Sequence, residues 1–509
     1  MTISPSRSYG ALAGLLTGAL ATTVGMLLAA ITNVVSPIDA VGSTFIDHTP
    51  RWLKEWAIRS FGTNDKTVLR LGIVAVLALA AVAIGIVAVR RPWATWVGFA
   101  VFGVVGAVAA VRRPGETIGA ALPSIVGALV GALVLHRMVQ PRPIPVPGES
   151  QAPLGWDRRR FLLSAGAAGA AAVVAGATAR GVDQARTNDV VAKTNEPLPT
   201  SGSVQTLAPI DAGATVDPAI PFVTAAGDFY RIDTALSFPR VDAAKWALDI
   251  TGLVDRPLRV TYAELLAMPQ VERVVTLCCV SNEVGGEYVG NAVWRGVLLA
   301  DLLDKVGIKP GAEQVYSTSI DGWTCGFPVE VARDGRDAMI AVGMNGATLP
   351  LEHGYPARLV VPGLYGYVSA TKWLRMIELT TWDRQGYWVP LGWSKLGPVK
   401  TQSRIDVPRN DAKVTAGPQK IAGVAWAQHR GIAKVEVKVD DGPWQETRLA
   451  TDVSNDAWRQ WVLDWNATAG THTVEVRATD KTGATQPATR SDVAPDGATG
   501  HHTIRVHVG

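Results

Sequence analysis

Residues 271–286 read VERVVTLCCVSNEVGG. The apolar, β-branched opening predicts a strand that ends near Leu277. Two adjacent cysteines come next, Cys278 and Cys279, then a polar loop closed by Gly285-Gly286. A glycine pair lets the backbone approach something bulky. A thiolate held at such a strand end suits a nucleophile or a soft metal ligand. A buried structural thiol is the competing reading. Vicinal spacing does not suit a zinc pair, and no Cys-x-x-Cys occurs. Without Cys-x-x-Cys-His, covalently attached haem is excluded. No glycine-rich nucleotide loop is found after a strand, so nucleotide cofactors have no support.

Outward from this stretch, strand-like runs at Ala247–Gly252 and Arg358–Pro362 alternate with helical runs at Tyr262–Met268 and Leu298–Val306. Residues 222–405 therefore read as one α+β domain, long enough for its own core. Within it, residues 352–374 gather Glu352, His353, Arg358, Ser369, Thr371 and Lys372 among glycines. Cations and hydroxyls in that density suit a phosphate or another anion; a solvated loop with an ordinary ion pair is the alternative. From residue 411 to 509 the chain reads as all-β. Lys434–Asp440, His472–Asp480 and His502–Val508 alternate strictly, which predicts an immunoglobulin-like sandwich. Trp444, Trp458, Trp461 and Trp465 read as core and strand-face packing.

Several of these motifs, in this order, resemble the sulfite oxidase family of molybdopterin enzymes. They are Thr-Leu-Cys-Cys-Val-Ser-Asn-Glu-Val-Gly-Gly at 276–286, Gly290–Val297, Glu352–Arg358 and Lys372-Trp373-Leu374. The resemblance covers residues 222–509 and implies molybdenum-molybdopterin as cofactor, with Cys279 as the metal's thiolate ligand. It implies pterin and phosphate contacts from Phe229, Tyr230, Arg231, His353 and Arg358, with Asp321, Ser369, Thr371 and Lys372 as looser assignments. The implied chemistry is oxygen-atom transfer with a small-molecule donor or acceptor. The sandwich is similar to that family's dimerisation domain, which implies a homodimer. One departure bears on substrate: Glu283 stands where sulfite oxidases carry an arginine, and Tyr367-Val368-Ser369 lacks another. A site that exchanges cations for a carboxylate binds dianionic sulfite poorly, so a less charged substrate such as a sulfoxide is expected. With no haem domain fused, electrons pass to or from a separate carrier or a quinone.

The remaining third is different in kind. Of 509 residues, 48% are hydrophobic and only 18% charged, against about 25% charged in ordinary soluble proteins. The net charge of +4 gives no reason to invoke nucleic acid. Apolar runs at 8–38, 71–89, 92–111 and 117–136 each approach the length of a spanning helix, about 20 residues. Residues 1–137 are expected to form a four-helix transmembrane region. Arg51–Arg59 suggests a short helix on the membrane surface, with Trp52 and Trp56 on one face. A Pro-rich inner linker runs to 160. It ends in Asp157-Arg158-Arg159-Arg160-Phe161-Leu162, which resembles a bacterial twin-arginine export signal. Residues 161–179 are then a fifth transmembrane helix or a signal, with Ala177-Thr178-Ala179 a potential cleavage site. Loop Lys/Arg counts are nearly balanced and set no orientation. The export motif places the chain beyond a linker at 180–221 outside the cytoplasm. The expected protein is a multi-pass protein of the cell membrane with an extracytoplasmic catalytic domain. The competing class is a metal-free binding protein anchored on the same fold, against which the retained Cys279, Arg231, His353, Arg358 and Lys372 argue.

Overall fold

The computed structural model describes residues 6–50, 53, 56–57, 60–61, 65–113, 116–140, 142–143, 154–155, 157–194, 197–198 and 202–509. Most of the surface helix expected at 51–59 and most of the Pro-rich linker lie outside the described residues. The chain forms two compact units, Met1–Asp189 with Thr234–Phe238, and Val190–Asp233 with Pro239–Gly509.

In the first unit, five helices are long and apolar enough to cross a membrane: Arg7–Thr32, Lys66–Ala88, Trp93–Val111, Ile118–Val139 and Arg158–Ala192. Small residues set how closely they pack. A side chain at Gly14 would collide with the Ala81 carbonyl, and one at Gly127 with the Ala21 carbonyl. Such contact without side chains lets the helix backbones approach closely. The last of these helices is continuous through Ala177–Ala179 and runs from Arg158 to Thr194. Tyr9 and Phe161 meet edge-on at 5.0 Å. Arg186 donates to the Ile31 carbonyl at 3.0 Å, satisfying an orphan acceptor in the last turn of Arg7–Thr32. Arg70 bonds Asp39 at 2.9 Å and the Leu236 carbonyl at 2.7 Å, which ties residues 234–238 to these helices.

The second unit begins earlier than its catalytic motifs. Val204–Gln205 add a short parallel strand beside Gln270, so part of the segment read as linker belongs to the fold. One sheet runs Ala347–Thr348, Met339–Met344, Val289–Leu298, Gln270–Cys278, Val204–Gln205, with Arg358–Val360 also paired to Met339–Met344. A second runs Leu258–Thr261, Ala247–Gly252, Leu374–Thr380, Gln314–Ser319, Thr324–Pro328. Short helices Tyr262–Ala267 and Leu299–Val306 form where the sequence predicted them. The first opens with a capping box, Thr261 and Glu264 satisfying each other's backbone donors.

The sandwich reaches back to Gln402–Val407, a strand that begins inside the stretch 222–405 assigned from sequence to the catalytic domain. That strand pairs with Gly417–Trp426, which pairs with Arg459–Ala467. The facing sheet orders Ala412–Val414, His502–Val508, Gly470–Asp480, Ile432–Val439 and Gln445–Glu446. Trp461, Val435, Val474 and Val506 fill its own core. Val424, Trp426, Trp458 and Val462 instead join the core of the catalytic sheets. The apolar core therefore continues across the junction of the two modules. Trp444 lies on a strand face between Lys438 and Arg477, and Trp465 stacks edge-on against His472.

Candidate active site

The end of a strand separates the two thiols. Val274, Cys278 and Val280 point into the larger core, whereas Val271, Val275 and Leu277 point to the opposite face, with Phe229, Trp294 and Tyr355. The strand ends at Cys278, and Cys279, the first residue beyond it, leaves the larger core and lies within electrostatic reach of Tyr230. It is 9% exposed, against 2% for Cys278. The turn after it is held locally. The Cys279 amide donates to the Tyr288 carbonyl at 2.9 Å, and the Asn282 amide to the Cys279 carbonyl at 3.0 Å. The Asn282 side chain accepts from the Tyr288 amide at 2.8 Å. Burial raises both thiols above their ordinary value; for Cys279 the Ser281 amide and hydroxyl oppose it.

Tyr230, within electrostatic reach of Cys279, belongs to an aromatic and cationic wall. Phe229 stacks on Tyr230 with ring centres 5.2 Å apart. It meets Trp294 at 5.7 Å and His353 at 5.5 Å edge-on. A side chain at Gly290 would strike the Phe229 ring, so glycine there makes room for it. Arg358 is buried, with its guanidinium 5.0 Å from the Trp294 ring centre and bonded to the His353 carbonyl at 3.1 Å. Burial lowers the Arg358 pKa to about 10. The His353 pKa falls to about 4 by burial first, with Arg358 and Lys372 adding repulsion against the bond to the Ala226 carbonyl. Tyr230 is raised by burial, then by Cys279 and Cys278, while Arg358 pulls it the other way, which puts it among all three.

Lys372 closes this wall across a long sequence gap. It pairs with Asp233 at 2.7 Å, both side chains being at least nine-tenths buried, and donates to the Glu352 carbonyl at 3.1 Å. Arg231 stands 4.0 Å from the same carboxylate and is half exposed. Gly354, at φ 111°, brings the backbone against Lys372 and Arg358 where a side chain would crowd both. The structure thus links Phe229, Tyr230, His353, Arg358 and Lys372 in one series of contacts that reaches Cys279 through Tyr230, with Arg231 joined to Lys372 through Asp233.

Three other residues from the sequence reading sit differently. The Ser369 hydroxyl donates back to the Tyr365 carbonyl at 3.0 Å. The Thr371 hydroxyl lies 2.7 Å from Ser317 Oγ and 3.1 Å from Cys325 Sγ. Both residues are fully buried, and these bonds support the loop from within. Asp321 caps the turn between two strands by accepting from the Trp323 amide at 3.1 Å. Sequence reasoning missed Asp233 and Tyr365. Asp233 stands two places after the recognised Phe-Tyr-Arg, and its partner lies 139 residues away. Tyr365 is buried and feels the charge of Cys278 and Cys279, which raises its pKa beyond the effect of burial.

These residues fit a metal that arrives with most of its ligands already in place. Among the described residues, no group of three or more His, Cys, Asp or Glu could hold a metal ion. One soft sulfur beside a cationic, aromatic-lined face matches a cofactor that brings its own sulfur donors and an anionic tail.

Comparison with known proteins points the same way. Residues 235–388 match the oxidoreductase molybdopterin binding domain, and residues 402–476 match the bacterial Ig domain. The uncharacterized oxidoreductase YuiH of Bacillus subtilis is 35% identical over 156 residues, covering 31% of this chain and 76% of that protein. Sulfite oxidase of Arabidopsis thaliana is 29% identical over 329 residues, 52% of this chain and 82% of that one. The crystal structure of the sulfane dehydrogenase SoxCD of Paracoccus pantotrophus superposes with a TM-score of 0.51 at 26% identity, covering 58% of this chain and 82% of its own.

Proposed function

Because this chain belongs to the sulfite oxidase family of molybdopterin-dependent oxidoreductases, we propose that it is a membrane-anchored member whose catalytic unit works outside the cytoplasm on a substrate less charged than sulfite. The observation that carries the reading is the split between the two cysteines. Cys278 is committed to the apolar core, which leaves Cys279 as the thiol within reach of the aromatic and cationic wall through Tyr230.

When bound, molybdenum-molybdopterin supplies two-electron oxygen-atom transfer. Cys279 would ligate its metal. Arg231, His353, Arg358 and Lys372 would hold the pterin and its phosphate, with Phe229 and Tyr230 packed against it and Asp321, Ser369 and Thr371 supporting from behind. Asp233 keeps the Lys372 ammonium pointed at that face. His353, held neutral by burial at pH 7, offers a hydrogen bond without adding charge.

Charge balance supports the substrate class. Lys372 and Arg231 share Asp233, and Arg404 is paired with Asp406 at 2.7 Å. Lys372 and Arg404 each have a carboxylate partner before any substrate arrives, Arg358 is left to the cofactor's anionic tail, and Glu283 adds a carboxylate to the loop after Cys279. A sulfoxide or similar neutral oxygen-atom donor or acceptor suits such a site better than a dianion. Electrons would pass to or from a separate carrier or a quinone, and the sandwich would serve a homodimer.

Multi-pass anchoring is supported by the five long apolar helices, and export of the folded catalytic unit by the arginines that open the last of them. That helix runs unbroken and donates Arg186 to an earlier helix, which supports its retention over cleavage.

The test is molybdenum per chain for the full-length protein purified in detergent, beside a Cys279→Ser variant. About one molybdenum per chain, lost or spectrally altered in the variant, is the expected result. Turnover of sulfoxides over sulfite is expected next. Wild-type protein without metal, from a host that makes the cofactor, would favour the metal-free binding reading.

A further inference from the structure

We propose that the sandwich module sets the position of the Cys279 thiol, with Arg404 and His502 as positioning residues. This rests on Cys279 being the metal's ligand.

The loop that leaves Cys279 is gripped from the sandwich. Arg404, in the Gln402–Val407 strand, donates from Nη1 to the Gly286 carbonyl at 2.9 Å and from Nε to Asp406 at 2.7 Å. Its side chain is only 15% exposed, so the guanidinium has little freedom to swing away. His502, on the last strand, accepts the Ile405 amide at 3.0 Å through Nδ1. That bond orients the ring so that its other edge lies against Gly285. A side chain at Gly285 would run into the imidazole, and Gly285 itself sits at φ 78°. The Gly285-Gly286 pair thus lets a neighbouring module press onto the loop backbone.

The strand that enters Cys279 is gripped as well. The Thr276 amide donates to the Asp456 carbonyl at 2.9 Å. The Thr276 hydroxyl accepts from the Trp458 amide at 2.7 Å, and its carbonyl from Gln428 Nε2 at 2.8 Å. Cys279 therefore lies between two anchor points that both belong to the sandwich. The backbone around a metal-binding thiol needs support of this kind, since a shift of about 1 Å spoils the geometry of a catalytic centre. The grip acts on backbone atoms and leaves the thiol itself clear.

The experiment uses the full-length chain in detergent from a host that cannot make molybdopterin, so the thiol is available. Iodoacetamide labelling of Cys279 is read by peptide mass spectrometry, with amide exchange over 281–288 in parallel. Arg404→Ala and His502→Ala are expected to raise Cys279 labelling about tenfold, the ratio expected when one net hydrogen bond against local opening is lost. Cys325 labelling should not move, whereas Arg404→Ala lowers the melting temperature by leaving Asp406 unpaired, so Cys325 reports whether the opening is local. His472→Ala, which removes a contact to Asp440 in the same module, should leave Cys279 at the wild-type rate. Should either alanine variant fail to fold, Arg404→Lys and His502→Asn decide the matter by faster exchange over 281–288. In protein loaded with cofactor, the same variants should shift the molybdenum-centred absorption at unchanged metal content. An unchanged labelling and exchange rate overturns the proposal, as does an equal rise in His472→Ala. Failure of the ligand reading would show separately, as unaltered molybdenum in Cys279→Ser.

Discussion

Cys278 and Cys279 are neighbours in the chain and carry the same thiol into opposite surroundings. Cys278 lies among Val274, Val280 and Val289, in a core built of aliphatic side chains. Cys279 begins the turn beyond the strand, within electrostatic reach of Tyr230, which also feels Arg358. One residue along the chain exchanges packing for chemistry, because the strand ends between the two thiols. On the apolar face the thiol's role is packing, with one weak bond to the Cys279 carbonyl at 3.5 Å. Beyond the strand, a ring and a charge come within reach of the thiol, and no isostere substitutes.

The strongest way to break this contrast is to exchange the two roles. Cys279→Ser should lower turnover by more than the roughly 100-fold typical of losing an outer-shell partner of a metal. Cys278→Ala should keep both metal and activity and cost about 1 kcal/mol of stability, as expected for a small void in an apolar core. A Cys278 variant that lost molybdenum while the Cys279 variant kept it would reverse the assignment.

Next in size is the buried ion pair. Lys372→Met leaves the Asp233 carboxylate buried and unmatched except by half-exposed Arg231. Removing one partner of such a pair costs about 3 kcal/mol, visible as a lower melting temperature together with lost cofactor. The double variant with Asp233→Asn should regain stability without regaining cofactor. That outcome separates holding the cofactor from holding the fold.

The pH dependence is comparable or smaller, and it tests the cationic wall and the clamp at once. Burial depresses His353 and His502 from 6.5 to about 4. An imidazole depressed in the folded state takes up its proton in the unfolded chain first. Stability is therefore complete above about pH 6.5, falls as pH drops toward about 4, and levels off below that. The loss is at most about 3 kcal/mol per imidazole. Melting of the cofactor-free chain between these limits should show a shallower fall in His502→Asn.

The strand-like run at residues 271–277, the glycine pair and the spacing of the cationic cluster were all legible in the sequence, since each depends on neighbours within a few positions. The same holds for the five apolar stretches, whose length and composition alone suit them to a bilayer. Thr371 shows where such reading stops. Its place in a run of hydroxyls and cations suggested a phosphate contact, yet its hydroxyl is taken by Ser317 and Cys325, brought from another strand. Asp233 passed unnoticed for the complementary reason, since an isolated aspartate in a loop carries no local signal of a partner 139 residues away.

What the sequence determined alone was the inventory: apolar helices, an α+β module with one unusual thiol pair, an all-β module, and the family these motifs resemble. Local periodicity and composition encode these, and neither needs long-range contacts. Tertiary structure decided that Cys278 joins the apolar core, which cation is locked by which carboxylate, and that Gln402–Val407 belongs to the sandwich. It also decided that the sandwich shares its core with the catalytic sheets and holds the loop beyond Cys279 through Arg404 and His502. Those features depend on burial and on pairs of atoms far apart in the chain. Desolvation and hydrogen bonding between such pairs exist only once the sheets have closed on each other.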